Sequence, residues 1–354
     1  MRLLPLLAAG LPPVQLTAAV GQRRILESKA NPYPQLPDPF LSGKKKKITK
    51  PAQWWKLSRP ELFARMPNAT TAVRWEVGAT ANEIEAEIPV ARKTLLGHVD
   101  NAAYSQIQVD IQLTLVTQAN AKAKVPVVME LAFTNFPRRD TTWQKLILER
   151  GWGYDILAPT SVQPDNGTGL THGIIGLVNK GQPRAWAWGA SGALDYFATD
   201  AAVDANRVGL EGRSRYGKAA VVAFLSSSGT RGVKLHPRLY AEQVENAAAP
   251  TEYHRMAGHY LQYAGSKTAA DLPVFISSGD RGDGRVDAKG MFLAGAGAEP
   301  VYQLLGKKGL GTADFPPPET PPTGGEIAFR QHSGGHTPGP NWPTILNFAA
   351  RYWK

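Results

Sequence analysis

With 354 residues, 43% apolar and 19% charged, the chain can build one large domain with a sizeable core, or two ordinary ones. Its 35 glycines and 28 prolines fall short of low-complexity composition, and no internal apolar run approaches the ~18 residues of a membrane span. Wholesale disorder and a polytopic membrane protein are thereby excluded. The complete lack of cysteine removes disulfides, thiolate metal sites and cysteine nucleophiles, while a net charge of +11 favours acidic partners.

Residues 1–20 read as a secretory signal peptide. Arg2 precedes an apolar stretch from Leu3 to Leu11, followed by the small-residue exit Thr17-Ala18-Ala19. An ordinary helix is the alternative, but Pro5, Pro12 and Pro13 would each damage it. A secreted or periplasmic protein stabilised by its core alone is expected. Residues 21–60 form an extended arm rich in proline (Pro32, Pro34, Pro37, Pro39) and lysine (Lys44 to Lys47). The lysine run reads as a solvated loop rather than a polyanion grip. Nothing in the chain matches a zinc finger, an aromatic-basic RNA signature or a base-reading helix, so nucleic acid is not an expected partner. Residues 61–354 are read as a single domain.

In that domain, strands are predicted over 73–77, 94–99 and 107–116, the last with the alternation of a half-buried strand. The nearly continuous apolar run 125–133 suits a strand buried on both faces. A helix over 143–150, a strand over 154–157 and a helix over 185–197 follow, the helix carrying an apolar stripe through Trp186, Ala193 and Leu194. A strand over 207–210 runs into a glycine-bounded turn, and a last strand is placed at 327–330. Such alternation predicts an α/β sheet with a mixed or antiparallel start.

The most informative stretch is Gly212-Arg213-Ser214-Arg215-Tyr216-Gly217-Lys218. A strand ends, a serine sits at the turn and a helix-forming run follows, as in a nucleophile elbow that exposes a hydroxyl beside helix N-terminal N–H groups. The generic pattern has glycine two residues after the serine. Here that position is Tyr216, and glycine comes one later. A plain strand–helix turn with a capping serine is the competing reading.

This run resembles the elbow of the glucuronoyl esterases, carbohydrate esterases of the α/β-hydrolase superfamily, and most closely their bacterial branch. Further resemblance lies in Gly97-His98-Val99-Asp100-Asn101, Gly151-Trp152-Gly153-Tyr154, Asp165-Asn166-Gly167, Gly173 to Asn179, Trp186-Ala187-Trp188-Gly189-Ala190 and Gln331-His332-Ser333-Gly334-Gly335-His336. The resemblance implies an α/β-hydrolase fold, a three-layer α/β/α sandwich with a mixed, mostly parallel central sheet. It also implies a serine mechanism with no metal or cofactor. The implied substrate is a 4-O-methyl-glucuronate ester, in glucuronoxylan or a lignin–carbohydrate complex. A monomer, free of the membrane once mature, is expected.

Carried over residue by residue, the resemblance makes Ser214 the nucleophile and His336 its base, with His332 a structural neighbour. Arg215 would stabilise the oxyanion through its backbone N–H and guanidinium. Lys218, one helical turn beyond Ser214, and Glu242 would bind the glucuronate. The triad acid is placed at Asp283, with Asp280 in reserve, because the stretch Ser226-Ser227-Ser228-Gly229 holds no acid where many relatives carry a glutamate. Arg285 stands where relatives have a tryptophan stacked on the sugar, which keeps a carbohydrate esterase of the acetyl xylan type open as an alternative.

The chain is also shorter than such relatives in places. Only 12 residues separate Gly217 from Ser228, both included, too few for an elbow helix, a return loop and the start of the next strand. A lost connection or core strand, with two exposed strand edges, is therefore expected. A degenerate, non-catalytic polysaccharide-binding relative follows as a further reading.

Overall fold

A computed structural model describes residues 40, 46–54, 56, 73–100, 107–133, 141–165, 173–174, 182–217, 219–220, 237–242, 273–281 and 288–353. The proposed leader, most of the arm, and Lys218, Asp283 and Arg285 lie outside these residues.

Strands β1 (Val73–Glu85) and β2 (Ile88–Val99) form a hairpin far longer than the two short strands expected. Its turn is Ala86-Glu87, both left-handed with φ of 50° and 67°. Paired left-handed residues give a two-residue turn the twist that its strands require. Strand β3 (Asp110–Gln118) lies antiparallel to β2 and also to β5 (Gly153–Leu157). Beyond β5 every pairing is parallel, through β4 (Val125–Leu131), β6 (Val203–Gly212), β7 (Pro237–Glu242), β8 (Val274–Gly279) and β9 (Ile327–His332). The sheet order is β1-β2-β3-β5-β4-β6-β7-β8-β9. It is the mixed, mostly parallel sheet that was expected.

Of the two losses expected after the elbow, a connection or a core strand, the second is not found. The short span after the elbow has not cost the sheet a core strand, because β7 lies between β6 and β8 and pairs with both. The next strand begins at Pro237, well beyond the window ending at Ser228, and satisfies the ladder groups that two bare edges would have left exposed.

Helices cover both faces. On one side α2 (Gln182–Phe197) lays Trp186, Ala190, Ala193, Leu194 and Phe197 over Val127, Met129, Leu131, Val208 and Leu210. This spacing keeps one stripe inward from Trp186 to Phe197. Gly189 permits the close approach, since a Cβ there would stand 2.6 Å from a methyl of Val162. On the same side α3 (Ala288–Leu304) packs Met291, Phe292, Ala294, Ala298 and Tyr302 against Val274, Ile276, Ile327 and Phe329. The opposite face belongs to α1 (Thr142–Leu148) and α4 (Trp342–Ala350), whose Trp143 and Trp342 stack at 5.1 Å over Val128, Tyr154 and Phe275. Three layers result, in keeping with the α/β-hydrolase expectation. From the arm, Ile48 and Trp54 are fully buried against Val301 of α3.

One core residue contradicts its setting. Asp155, in the middle of β5, is fully buried and neither carboxylate oxygen has a hydrogen-bond partner. Burial, reinforced by the charge of Glu130, pushes its carboxyl well above the usual range. The folded protein therefore holds this proton more tightly than the unfolded chain. Stability is fully present below the unfolded pKa of about 3.9 and falls as pH rises from there towards the folded pKa. Asp155→Asn is expected to flatten this decline in urea unfolding measured from pH 4 upwards. An unchanged pH slope would contradict the assignment.

Candidate active site

Strands β4, β6, β7, β8 and β9 run parallel, so their following loops all leave from one edge of the sheet, the edge where open α/β sheets bind ligands. The loop after β6 carries Ser214. It is 95% buried and adopts a left-handed backbone, φ 58°, which a non-glycine residue rarely adopts. The chain then turns straight into helix, the Tyr216 N–H donating to the Arg213 carbonyl at 3.0 Å. So sharp a turn folds the helix back on the strand end. A Cβ at Gly212 would stand 2.4 Å from the Tyr216 carbonyl oxygen, a backbone atom that cannot move cheaply. Glycine at 212 and strain at 214 are two sides of one geometry.

Tyr216, in the place usually held by glycine, points into the core. Its ring sits 4.3 Å from Phe133 and 4.9 Å from Trp186. Its hydroxyl donates to Asp165 at 3.2 Å, while the other oxygen of the same carboxylate accepts from the Arg215 guanidinium at 3.0 Å. Burial and the Asp165 charge push the Tyr216 phenol up, so it stays a neutral donor. Asp165 thus ties down both residues that follow the serine. Its stretch resembles the family pattern, but its role was not legible from the sequence.

The loop after β9 carries His336, which is partly buried. It folds onto the end of β8. The Arg281 N–H donates to the Gly334 carbonyl at 2.8 Å, and the Gly334 N–H to Asp280 Oδ1 at 2.9 Å. At Gly279 a Cβ would lie 2.3 Å from the carbonyl oxygens of Gly334 and Gly335. Asp280, the reserve acid, is thus engaged by the backbone beneath His336. Glu242 closes β7, its Cα paired with Ser277 of β8, and so reaches the same edge. His332, at the end of β9, is fully buried, and burial together with the Arg330 charge holds its pKa down.

Residues 100–228 match a family model described as "Glucuronyl esterase, fungi". The chain is 30% identical to a carbohydrate esterase family 15 (CE15) glucuronoyl esterase from Teredinibacter turnerae, with a TM-score of 0.77 over 93% of this chain and 92% of that one. The chain belongs to this glucuronoyl esterase family. A glucuronoyl esterase from Solibacter usitatus, 24% identical, shares the fold with a TM-score of 0.76 over 93% of this chain and 100% of that one. Carbohydrate esterase MZ0003, from an unknown prokaryotic organism, is 30% identical over an alignment of 194 residues that covers 48% of this chain and 44% of that protein. The chain therefore spans less than half of that relative.

Of the residues nominated by the family's motifs, Ser214, Arg215 and His336 are described in full, and Glu242 is placed by its backbone alone. Lys218, Asp283 and Arg285 fall outside the described residues. The contact at Gly279 sets how closely the His336 loop lies on the sheet. Gly279→Ala is expected to displace that loop by the better part of an ångström and lower ester hydrolysis by ~10²-fold. The cost to stability should be about 1–3 kcal/mol by urea unfolding, as for an overpacked site. An unchanged rate would show that the loop holds its place without this contact.

Proposed function

We propose that the chain is a secreted serine esterase that hydrolyses 4-O-methyl-glucuronate esters linking glucuronoxylan to lignin alcohols. The observation that carries the proposal is the left-handed Ser214 at the end of β6, backbone strain of the kind that collects at functional sites. In this reading the Ser214 hydroxyl attacks the ester carbonyl and His336 takes its proton. The oxyanion is met by the Arg215 N–H at the helix start and by its guanidinium, whose position Asp165 restricts. Collapse of the tetrahedral intermediate expels the alcohol, protonated by His336, and leaves a glucuronoyl ester on Ser214. Water, activated by His336, then releases glucuronate. Asp283 orients the imidazole and stabilises its charged form. Lys218 and Glu242 bind sugar hydroxyls, and Arg285 attracts the polyanionic chain. Residues 1–20 direct export, and the mature protein works as a monomer.

Arg285, in place of the family's tryptophan, favours a second reading in which a different carbohydrate ester, such as an acetyl ester, is the substrate. A non-catalytic polysaccharide-binding relative is the third reading; the shortened elbow-helix region that motivates it extends into residues 221–236, outside the described residues.

The deciding experiment compares benzyl glucuronate with a simple acetyl ester. Wild type is expected to turn over the glucuronate ester preferentially, and Ser214→Ala to lose on the order of 10⁶-fold in kcat. Preference for the acetyl ester would establish the second reading. Turnover of neither ester by folded protein would contradict both.

A further inference from the structure

The loop bearing His336 begins at His332 and ends at Asn341, both fully buried. These two side chains meet: Asn341 Nδ2 lies 2.9 Å from His332 Nδ1, closing a loop between residues nine apart. The direction of that bond is set from outside. The Arg330 guanidinium donates to Asn341 Oδ1 at 2.9 Å, so the Asn341 amide must present its NH₂ group to the ring, and His332 must accept. An accepting Nδ1 requires a neutral imidazole protonated at Nε2. Burial favours that neutral form. The same guanidinium reaches the Pro340 carbonyl and Glu319 Oε2. The other Glu319 oxygen accepts at 2.7 Å from the N–H of Ser333, one residue into the loop. Glu319 is itself left-handed, φ 64°, with its N–H bonded to the Gln331 carbonyl at 2.7 Å.

From this arrangement we infer that Glu319, Arg330, Asn341 and His332 are positioning residues that clamp both ends of the loop and so fix His336 for proton transfer. Glu319 holds the outgoing end through Ser333. Arg330 and Asn341 hold the returning end, and His332 joins the two. The loop also packs closely on this join, since a Cβ at Gly334 would stand 3.1 Å from His332 Nε2. The chemistry at Ser214 needs the imidazole within hydrogen-bond reach, and the clamp is what keeps a glycine-rich loop from wandering off it.

The inference rests on the reading of His336 as the base for Ser214, and its test separates the two. The measured quantity is the rate at which a fluorophosphonate labels Ser214, which needs an activated serine but no particular ester. His336→Ala is expected to slow labelling strongly; wild-type labelling by that variant would overturn the reading and the inference with it. Asn341→Ala should slow labelling by ~10²-fold. Glu319→Ala, at a half-exposed carboxylate whose loss opens no cavity, should slow it in the same direction and covers the case in which Asn341→Ala does not fold. Neither change should add to the loss already caused by His336→Ala, since residues acting through one group are not additive. Wild-type labelling rates in the folded Asn341 or Glu319 variants would overturn the inference and leave the reading intact. So would a full additional loss in the His336→Ala background, the mark of a merely structural role.

Discussion

A serine held at φ 58° costs on the order of 1–3 kcal/mol relative to relaxed backbone, and it persists only where its surroundings over-determine it. At Ser214 three neighbours do so. The absence of a side chain at Gly212 lets the helix return within 2.4 Å of where a Cβ would stand. The Tyr216 ring wedges between Phe133 and Trp186, and Asp165 holds the Tyr216 hydroxyl and the Arg215 guanidinium together. The strain is of the same size as the gain from burying one aromatic side chain, worth roughly 1.5–3 kcal/mol, so the packed Tyr216 ring can offset it. The core therefore keeps the hydroxyl where relaxation of the turn would withdraw it.

The second constraint is the meeting of two backbones at Gly279. The β9 loop rests on the end of β8 closely enough that a Cβ would touch two carbonyl oxygens, and two backbone–backbone hydrogen bonds and one from the Gly334 N–H to the Asp280 carboxylate fix its height. Strand order puts this contact on the same edge as the elbow, with β7 and the Glu242 backbone between them. A parallel sheet is well suited to such a task, because every strand delivers its following loop to one side. Chemistry can then be assembled from residues far apart in sequence while each stays anchored to the same rigid ladder.

Much of this was legible beforehand, for reasons that differ by element. Strand β4 is legible in its nearly continuous apolar run, and α2 in the inward stripe through Trp186, Ala193 and Leu194. The elbow was read from small residues flanking a serine between a strand and a helix. The full length of the β1–β2 hairpin was not, because its turn is Ala-Glu, with none of the Asn-Gly chemistry that announces two left-handed residues. The continuity of the sheet at β7 was hidden as well, since the 12 residues from Gly217 to Ser228 are too few to reach a next strand, and the strand begins only at Pro237. Asp165, Glu319 and Asn341 escaped for another reason. Asp165 meets Arg215 across 50 positions, and Asn341 gains its meaning only from the imidazole and guanidinium that face it. No local pattern encodes such pairings. Asp155 is the opposite case, a carboxyl placed inside an apolar strand where the pattern favours a hydrophobe.

The most direct test of the account is a crystal structure of the protein inhibited by a phosphonate. The account predicts phosphorus bonded to Ser214 Oγ, with φ at Ser214 still left-handed and the phosphoryl oxygen accepting from the Arg215 N–H. The His336 imidazole should lie within ~3.2 Å of the Ser214 oxygen. An adduct on another residue, or a His336 side chain turned away from Ser214 over an intact sheet, would contradict it.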